Sequence, residues 1–495
     1  MNITSKVSLG IAFLLLCTVP LALAVIPNTP DHSSVRSGAA TSTSDTDNRY
    51  NLAIKRSRQL VRTLMKEARI PGLAVAVAIE GEIVWQEGFG YADLENLVPL
   101  TDLTRFRIGS VSKSLTAAAM ARLYEKGRLD LDAHVREYVP SFPRKKYPIT
   151  PRLLAGHLGG IRHYREGESI NYQRFTSVVE SLQHFQDDAL LHEPGTAFRY
   201  STYGYNLLGA VIESACGKKF TLCMKEEVFL PLGMTHTVAD FPDQIIPHRT
   251  RFYARNKEGE LVNAPYSDRS YKIPGGGFLS TASDLVRFGS GLLQDAFLRR
   301  ATIEMLFTSQ RTQAGEETGY GMGWRPRTDW EGRLVLQHGG SAEGGRTFLL
   351  LYPRQGLAVA LLANLSGAPL FQEEAQTLAT LFLDDWSNSS SEASSDEPSG
   401  LYEMTIERGD KTVKGMLYLI NGPSGPKGWL RLENSSPLIL TLILKRDEEV
   451  HIIGAGRQGM VNLWATFTPG GLEGRWNWLG RTETIRGVQK LPSEH

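Results

Sequence analysis

Between Phe106 and Met120 the chain reads Phe-Arg-Ile-Gly-Ser-Val-Ser-Lys-Ser-Leu-Thr-Ala-Ala-Ala-Met, which sets Ser110 and Lys113 three residues apart at the start of a helix. No other stretch restricts the fold as much. Leu115, Ala118, Ala119, Met120 and Leu123 recur at spacings of three and four, the period of one helical face, and Gly127 is the expected stop. On such a helix the Lys113 amine can reach the Ser110 hydroxyl. A serine hydroxyl is a weak nucleophile that needs an adjacent base, and a lysine stripped of water near other cations is neutral enough to act as one. The free N–H groups of the first turn also favour negative charge developing at Ser110. The plainer alternative is that Ser110 only caps the helix.

The flanks favour chemistry. The stretch from Phe106 to Lys113, its alanine-rich continuation and Gly127-Arg-Leu-Asp-Leu-Asp132 together resemble the serine β-lactamase and penicillin-binding-protein superfamily, in its class C and D-alanyl-D-alanine carboxypeptidase branch. The resemblance implies an α/β (α+β) fold, an antiparallel sheet flanked by helices with an inserted helical lobe. Two later elements supply the second proton carrier and the oxyanion donors that a serine–lysine pair needs. Tyr200-Ser201-Thr202, just before a helical run with Leu207, Leu208, Val211 and Ile212, resembles the family's Tyr-x-Asn element, whose tyrosine shuttles the proton. Thr202 stands where the family has asparagine, which keeps a polar side chain but removes an amide used to contact the substrate.

Gln337-His-Gly-Gly-Ser341 ends a strand pattern and matches the family's Lys/His-x-Gly element. By the resemblance, the N–H groups of Ser110 and Ser341 form the oxyanion hole. Thr202, His338, Gly339 and Gly340 bind substrate, with Gly340 allowing close backbone approach and His338 polarising Tyr200 or meeting an anionic group. The order of these elements, with His157-Leu-Gly-Gly-Ile-Arg-His-Tyr164 between them, is most similar to the mitochondrial β-lactamase-like serine peptidases and their bacterial relatives, over about residues 49–386. His157 itself reads as a core histidine. Thr281-Ala-Ser-Asp284 after Pro274-Gly-Gly-Gly277 reads as a tight turn and a capping box without chemistry.

Lys6 precedes an apolar run that ends in Ala22-Leu-Ala24, so residues 1–24 read as a secretory signal peptide and the protein as secreted or periplasmic. An uncleaved run would instead tether it to a membrane. Residues 25–48, rich in Ser, Thr, Asp and Asn, read as a disordered tether. Removing the signal leaves Cys216 and Cys223, a pair that an exported protein can oxidise, although spacing does not settle whether they bond.

Leu52, Leu60, Leu64 and Met65 form a helical stripe, and residues 73–79 and 83–85 read as a hairpin. Residues 130–292 carry helical patterns. Short strands at 334–337, 347–352 and 357–362 and a helix over 372–386 then complete one sheet from distant halves, making a single domain of 49–386. Residues 387–399 read as a linker. Residues 400–495 show alternating runs with Trp429, Trp464, Trp476 and Trp478 as core candidates, a small β-barrel or sandwich with a core of its own.

With 41% hydrophobic and 22% charged residues, a chain of 495 builds a substantial core, and a net charge of +1 without a basic block excludes nucleic acid as a partner. Neither His-x-His-x-Asp nor His-Glu-x-x-His occurs, so no metal or other cofactor is expected. The reading is an exported serine hydrolase that forms an acyl-enzyme on a peptide, ester or β-lactam substrate. A true β-lactamase or D-alanyl-D-alanine carboxypeptidase is the enzymatic alternative, and a non-catalytic assembly or binding protein on the same fold is the other. Because an unperturbed histidine is largely neutral where many β-lactamases carry a lysine, His338 is expected to attract a substrate carboxylate weakly.

Overall fold

Gly72–Ile79 (β1) is apolar at every position, as suits a strand covered on both faces. The computed structural model describes residues 50–383, 398–420, 427–446 and 448–490. The expected signal peptide and tether, and the expected linker up to residue 397, lie outside them. Alternate side chains of β1 enter two different cores. Ala74, Ala76 and Ala78 face one, and Leu73, Val75 and Val77 face the other.

The sheet around β1 contains Glu82–Asp93 (β2), Val98–Pro99 (β3), Arg325–Thr328 (β4), Leu334–Ala342 (β5), Gly345–Tyr352 (β6) and Leu357–Ala363 (β7). Their order is β3-β2-β1-β7-β6-β5-β4, every neighbouring pair antiparallel, so the central β1–β7 contact joins segments nearly 300 residues apart. The early and late strands thus lie in one sheet.

One face of the sheet carries Asn51–Glu67 (α1), whose Leu60, Val61 and Leu64 point inward, and Gln372–Leu383 (α5). The other carries Ser112–Glu125 (α2), Thr202–Cys216 (α3) and Ala282–Leu293 (α4). Residues Leu115 to Met120 of α2 are all fully buried, so this middle part of the helix is enclosed on every side and its run of alanines lets neighbours approach closely. Gly127, at φ +66°, ends it as expected. The helical lobe is less regular than its sequence suggests. Between residues 156 and 201 the one helical piece is the 3-10 turn Glu180–His184, and side chains hold the rest, with Arg162 bonding Glu168 and Asp188 at 2.6 and 2.5 Å. Cys216 and Cys223 are disulfide-bonded, their Cα atoms 6.2 Å apart, which ties the end of α3 to the short helix Phe220–Met224.

From Gly400–Arg408 to Arg481–Lys490 eight antiparallel strands close into a barrel, which decides between barrel and sandwich. Met404, Leu417, Ile452 and Trp476 fill its interior. Trp464, expected in that core, points outward against Trp330 with ring centroids 5.2 Å apart, because Val461, Leu463 and Ala465 take the inward positions of its strand. Trp429 is only partly buried. Leu442, Leu444, Ile453, Ala455 and Met460, on the outer wall, join the cluster of α1 and α5. The Met460 N–H donates to Glu374 of α5 at 2.9 Å, and Asn462 Nδ2 donates to Thr377 Oγ1 at 2.8 Å. No helix among the described residues is long and apolar enough to cross a membrane.

Candidate active site

Ser110 occupies the 3-10 turn Gly109–Val111 immediately before α2. The first turn of α2 has no side-chain cap, so Ser110 does not serve as one. Its hydroxyl instead lies 3.2 Å from Lys113 Nζ, which also reaches Thr202 Oγ1 at 3.1 Å and the Gly275 carbonyl at 2.6 Å. Lys113 is fully buried, and that burial, with the nearby Arg325 cation, pushes its pKa well below the usual lysine value. A neutral amine has two N–H donors and a lone pair. It can donate to Gly275 and Thr202 and still accept the Ser110 proton.

Tyr200 directly precedes α3, whose N-cap Ser201 accepts the Gly204 N–H at 2.8 Å. Burial pushes the Tyr200 pKa up to about 12, against a smaller lowering by the nearby Ser110 hydroxyl, so it stays protonated at neutral pH. Two histidines fix this corner of the chain. Nδ1 of His157 accepts the Ser201 N–H at 3.1 Å, and Nδ1 of His163 accepts the Thr202 N–H at 3.2 Å. Burial lowers both pKa values, His163 to about 4, which keeps the accepting nitrogens free of protons. His157 is thus the core residue it was read as, but its ring centroid lies 4.3 Å from that of Tyr200, beneath the site.

His338 departs from expectation. Nε2 lies 3.0 Å from the Tyr320 hydroxyl and Nδ1 lies 2.8 Å from the Gly339 carbonyl, so its bond to a tyrosine runs to Tyr320 rather than Tyr200. A carbonyl only accepts, which places the proton on Nδ1 and makes Nε2 the acceptor. Burial and Lys113 lower the His338 pKa to about 3, and the ring is only 2% exposed. It is a neutral, enclosed group.

The strand carrying Gly339, Gly340 and Ser341 lies directly on the turn carrying Ser110. A Cβ on Gly340 would fall 1.9 Å from the Ile108 carbonyl and 3.3 Å from the Ser110 nitrogen, and one on Gly109, at φ +50°, would fall 2.6 Å from the Ser341 nitrogen. Glycine at both places lets the two backbones meet, which brings the N–H groups of Ser110 and Ser341 to one seam. The turn after β5 is anchored as well. The Arg107 guanidinium donates to the Glu343 carbonyl at 2.8 Å and to Asp240 at 2.7 Å, while buried Arg269 pairs with the Glu343 carboxylate.

Three participants escape the sequence reading. Gly275, in a segment read as a turn without chemistry, supplies a carbonyl to Lys113. Tyr320 connects His338 to the ring cluster, 4.6 Å from His157. Arg325 lies over the rings of Tyr320 and Tyr200 at 5.0 and 5.7 Å, and among the described residues no carboxylate pairs with it. Thr281 caps α4, accepting the Asp284 N–H at 3.1 Å, but the Asp284 carboxylate turns to Thr237 and the His236 N–H instead of completing a capping box.

Comparison with known proteins identifies the family. The family model described as Beta-lactamase matches residues 57–382. The human serine beta-lactamase-like protein LACTB, mitochondrial, is 33% identical over 425 residues, covering 64% of this chain and 78% of that protein. Penicillin-binding protein 4* of Bacillus subtilis is 29% identical, covering 63% and 71%. Among solved structures, the octameric penicillin-binding protein homologue from Pyrococcus abyssi superposes with a TM-score of 0.60 at 21% identity, covering 87% of this chain and 99% of its own. That share exceeds the family-matched residues, so the likeness of fold continues into the C-terminal part. With its antiparallel sheet, its helical lobe and Ser110 in contact with the buried Lys113, the chain belongs to the β-lactamase family of serine hydrolases.

Proposed function

We propose that the protein cleaves an amide or ester through an acyl-enzyme on Ser110. The observation that carries this reading is the hydrogen-bonding of Lys113, fully buried and held by Ser110, Thr202 and Gly275 with no carboxylate among those partners. A lysine in a merely structural role would keep its charge and pair it. In the proposed reaction Ser110 Oγ attacks the carbonyl carbon as Lys113 Nζ takes its proton. The N–H groups of Ser110 and Ser341 hold the oxyanion, and Tyr200 passes a proton to the leaving nitrogen or oxygen as the tetrahedral intermediate collapses. Water then hydrolyses the acyl ester.

Arg325 directs the substrate reading. His338 is neutral, so the cation next to Tyr200 that is free to meet a substrate anion is Arg325. A peptide or peptide-like substrate with a carboxylate near the scissile bond fits this arrangement. Penicillins share that feature, which keeps β-lactams and D-alanyl-D-alanine peptides as alternatives within one chemistry. Export is part of the proposal, supported by the apolar N-terminal run and by the Cys216–Cys223 bond, which persists in oxidising compartments. A fluorophosphonate probe should label the wild-type chain and leave Ser110→Ala unlabelled. Equal labelling of both would remove the assignment, and the non-catalytic alternative predicts labelling of neither.

A further inference from the structure

A cleft of about 510 Å³, lined by none of the residues of the Ser110 site, lies where the barrel meets the hydrolase part. Ala68, Leu365, Pro369 and Leu438 give it apolar walls, and Ser435 and Ser436 border it. Trp478 also lines it, and its indole N–H is buried with no hydrogen-bond partner. Two arginines face the same space, Arg255 from the hydrolase part and Arg457 from a barrel turn.

The two guanidiniums are not neutralised. Arg255 donates to the carbonyls of Ala68 and Arg69 at 2.5 and 3.2 Å, which are uncharged partners. The charges acting on it are those of Arg457 and Arg69, and among the described residues no carboxylate pairs with any of the three. Elsewhere on this molecule arginines commonly find acids, as Arg58, Arg152 and Arg408 do at 2.6 to 2.7 Å. Like charges gathered beside an apolar cavity repel one another, and an anion entering the cavity relieves that repulsion. Guanidiniums suit oxyanions in particular, because their forked N–H groups match phosphate and carboxylate geometry. The cavity volume is that of a small-molecule site.

We propose that this cleft binds a small organic oxyanion, a phosphate or carboxylate carried on an apolar body, with Arg457 and Arg255 on the oxyanion and the walls around Trp478 on the body. Because its two sides come from different parts of the chain, the ligand bridges barrel and hydrolase.

Calorimetric titration of the full chain tests it, with phenyl phosphate, benzoate and phenol as probes. Working in an Arg325→Ala background removes the guanidinium beside Tyr200 as a competing anion site. Phenyl phosphate or benzoate should bind saturably at millimolar concentration or below, and the tighter of the two identifies the preferred oxyanion. Phenol should bind at least about tenfold more weakly. Arg457 is exposed on a turn, so its replacement leaves folding intact. Arg457→Ala should weaken the anion by about tenfold or more, Arg457→Glu should abolish binding, and Arg457→Lys should retain most of it. No saturable binding by either anion, unchanged affinity in Arg457→Ala, or phenol binding as well as the anions would each overturn the proposal.

Discussion

At the scale of single residues, the proposed chemistry depends on a lysine whose pKa burial lowers well below the usual value. Its lowered pKa means that the base form is populated only above that value. The acylation rate should therefore climb with pH and level off, with no falling limb until pH nears the Tyr200 value of about 12. His338 and His163, at about 3 and about 4, contribute nothing to the profile between pH 5 and pH 9. Lys113→Ala and Tyr200→Phe should each slow acylation by ~10²–10⁴-fold. Stopped-flow acylation from pH 5 to pH 10 checks both statements, and a bell centred near neutrality would show that a histidine acts as the base. Arg325→Ala should raise KM for a carboxylate-bearing substrate by about tenfold and leave a neutral ester nearly unchanged. Equal losses on the two substrates would mean that Arg325 tunes Lys113 instead.

The sequence revealed these residues unevenly. Ser110 and Lys113 were legible because their contact is local, one helical turn, and Tyr200 because it abuts a helix start. Arg325, Gly275 and Tyr320 were not, since they reach the site only when the sheet and lobe assemble. The neutral, inward setting of His338 was not legible either, because it depends on Tyr320, 18 residues away.

At the scale of elements, strands in the sheet were legible from apolar runs, whereas the stretch from 156 to 201 was not, because side-chain ion pairs such as Arg162 with Glu168 and Asp188 replace the helices its sequence suggests. The barrel was half legible. Alternation fixes which residues face inward, but closure depends on the first strand pairing with the last, a long-range event.

The contact of the barrel with α5 carries its own titration. Glu374 accepts N–H groups of Phe371 and Met460, yet burial pushes its pKa up to about 7 from the usual carboxylate value. Glu373 and Arg346 are the charged neighbours. Between about 4.5 and 7 the folded state then holds a proton that the unfolded state has lost, so stability falls as pH rises through this window, by on the order of 3 kcal/mol for a shift of this size. Glu374→Gln should flatten that slope. Melting temperatures at pH 5 and pH 8 measure it, and an unchanged difference between wild type and variant would place the titration elsewhere.

At the scale of the whole molecule, one sheet divides the work. Its lobe-facing side packs α2, α3 and α4 into the core that buries Lys113, and its other side packs α1, α5 and the barrel wall into a second core. The half that carries the candidate site has the more specific sequence signals, because it must place a few polar groups to within hydrogen-bonding distance. The outer half needs only apolar faces that match, which many sequences satisfy. All of the functional account rests on one covalent bond. Wild-type protein mixed with a slowly hydrolysed ester, quenched in acid and digested should yield the peptide containing Ser110 with the mass of one acyl group added, at a rate that Lys113→Ala lowers steeply. An acyl group mapped to any other residue, or acylation of Ser110→Ala at the wild-type rate, would contradict it.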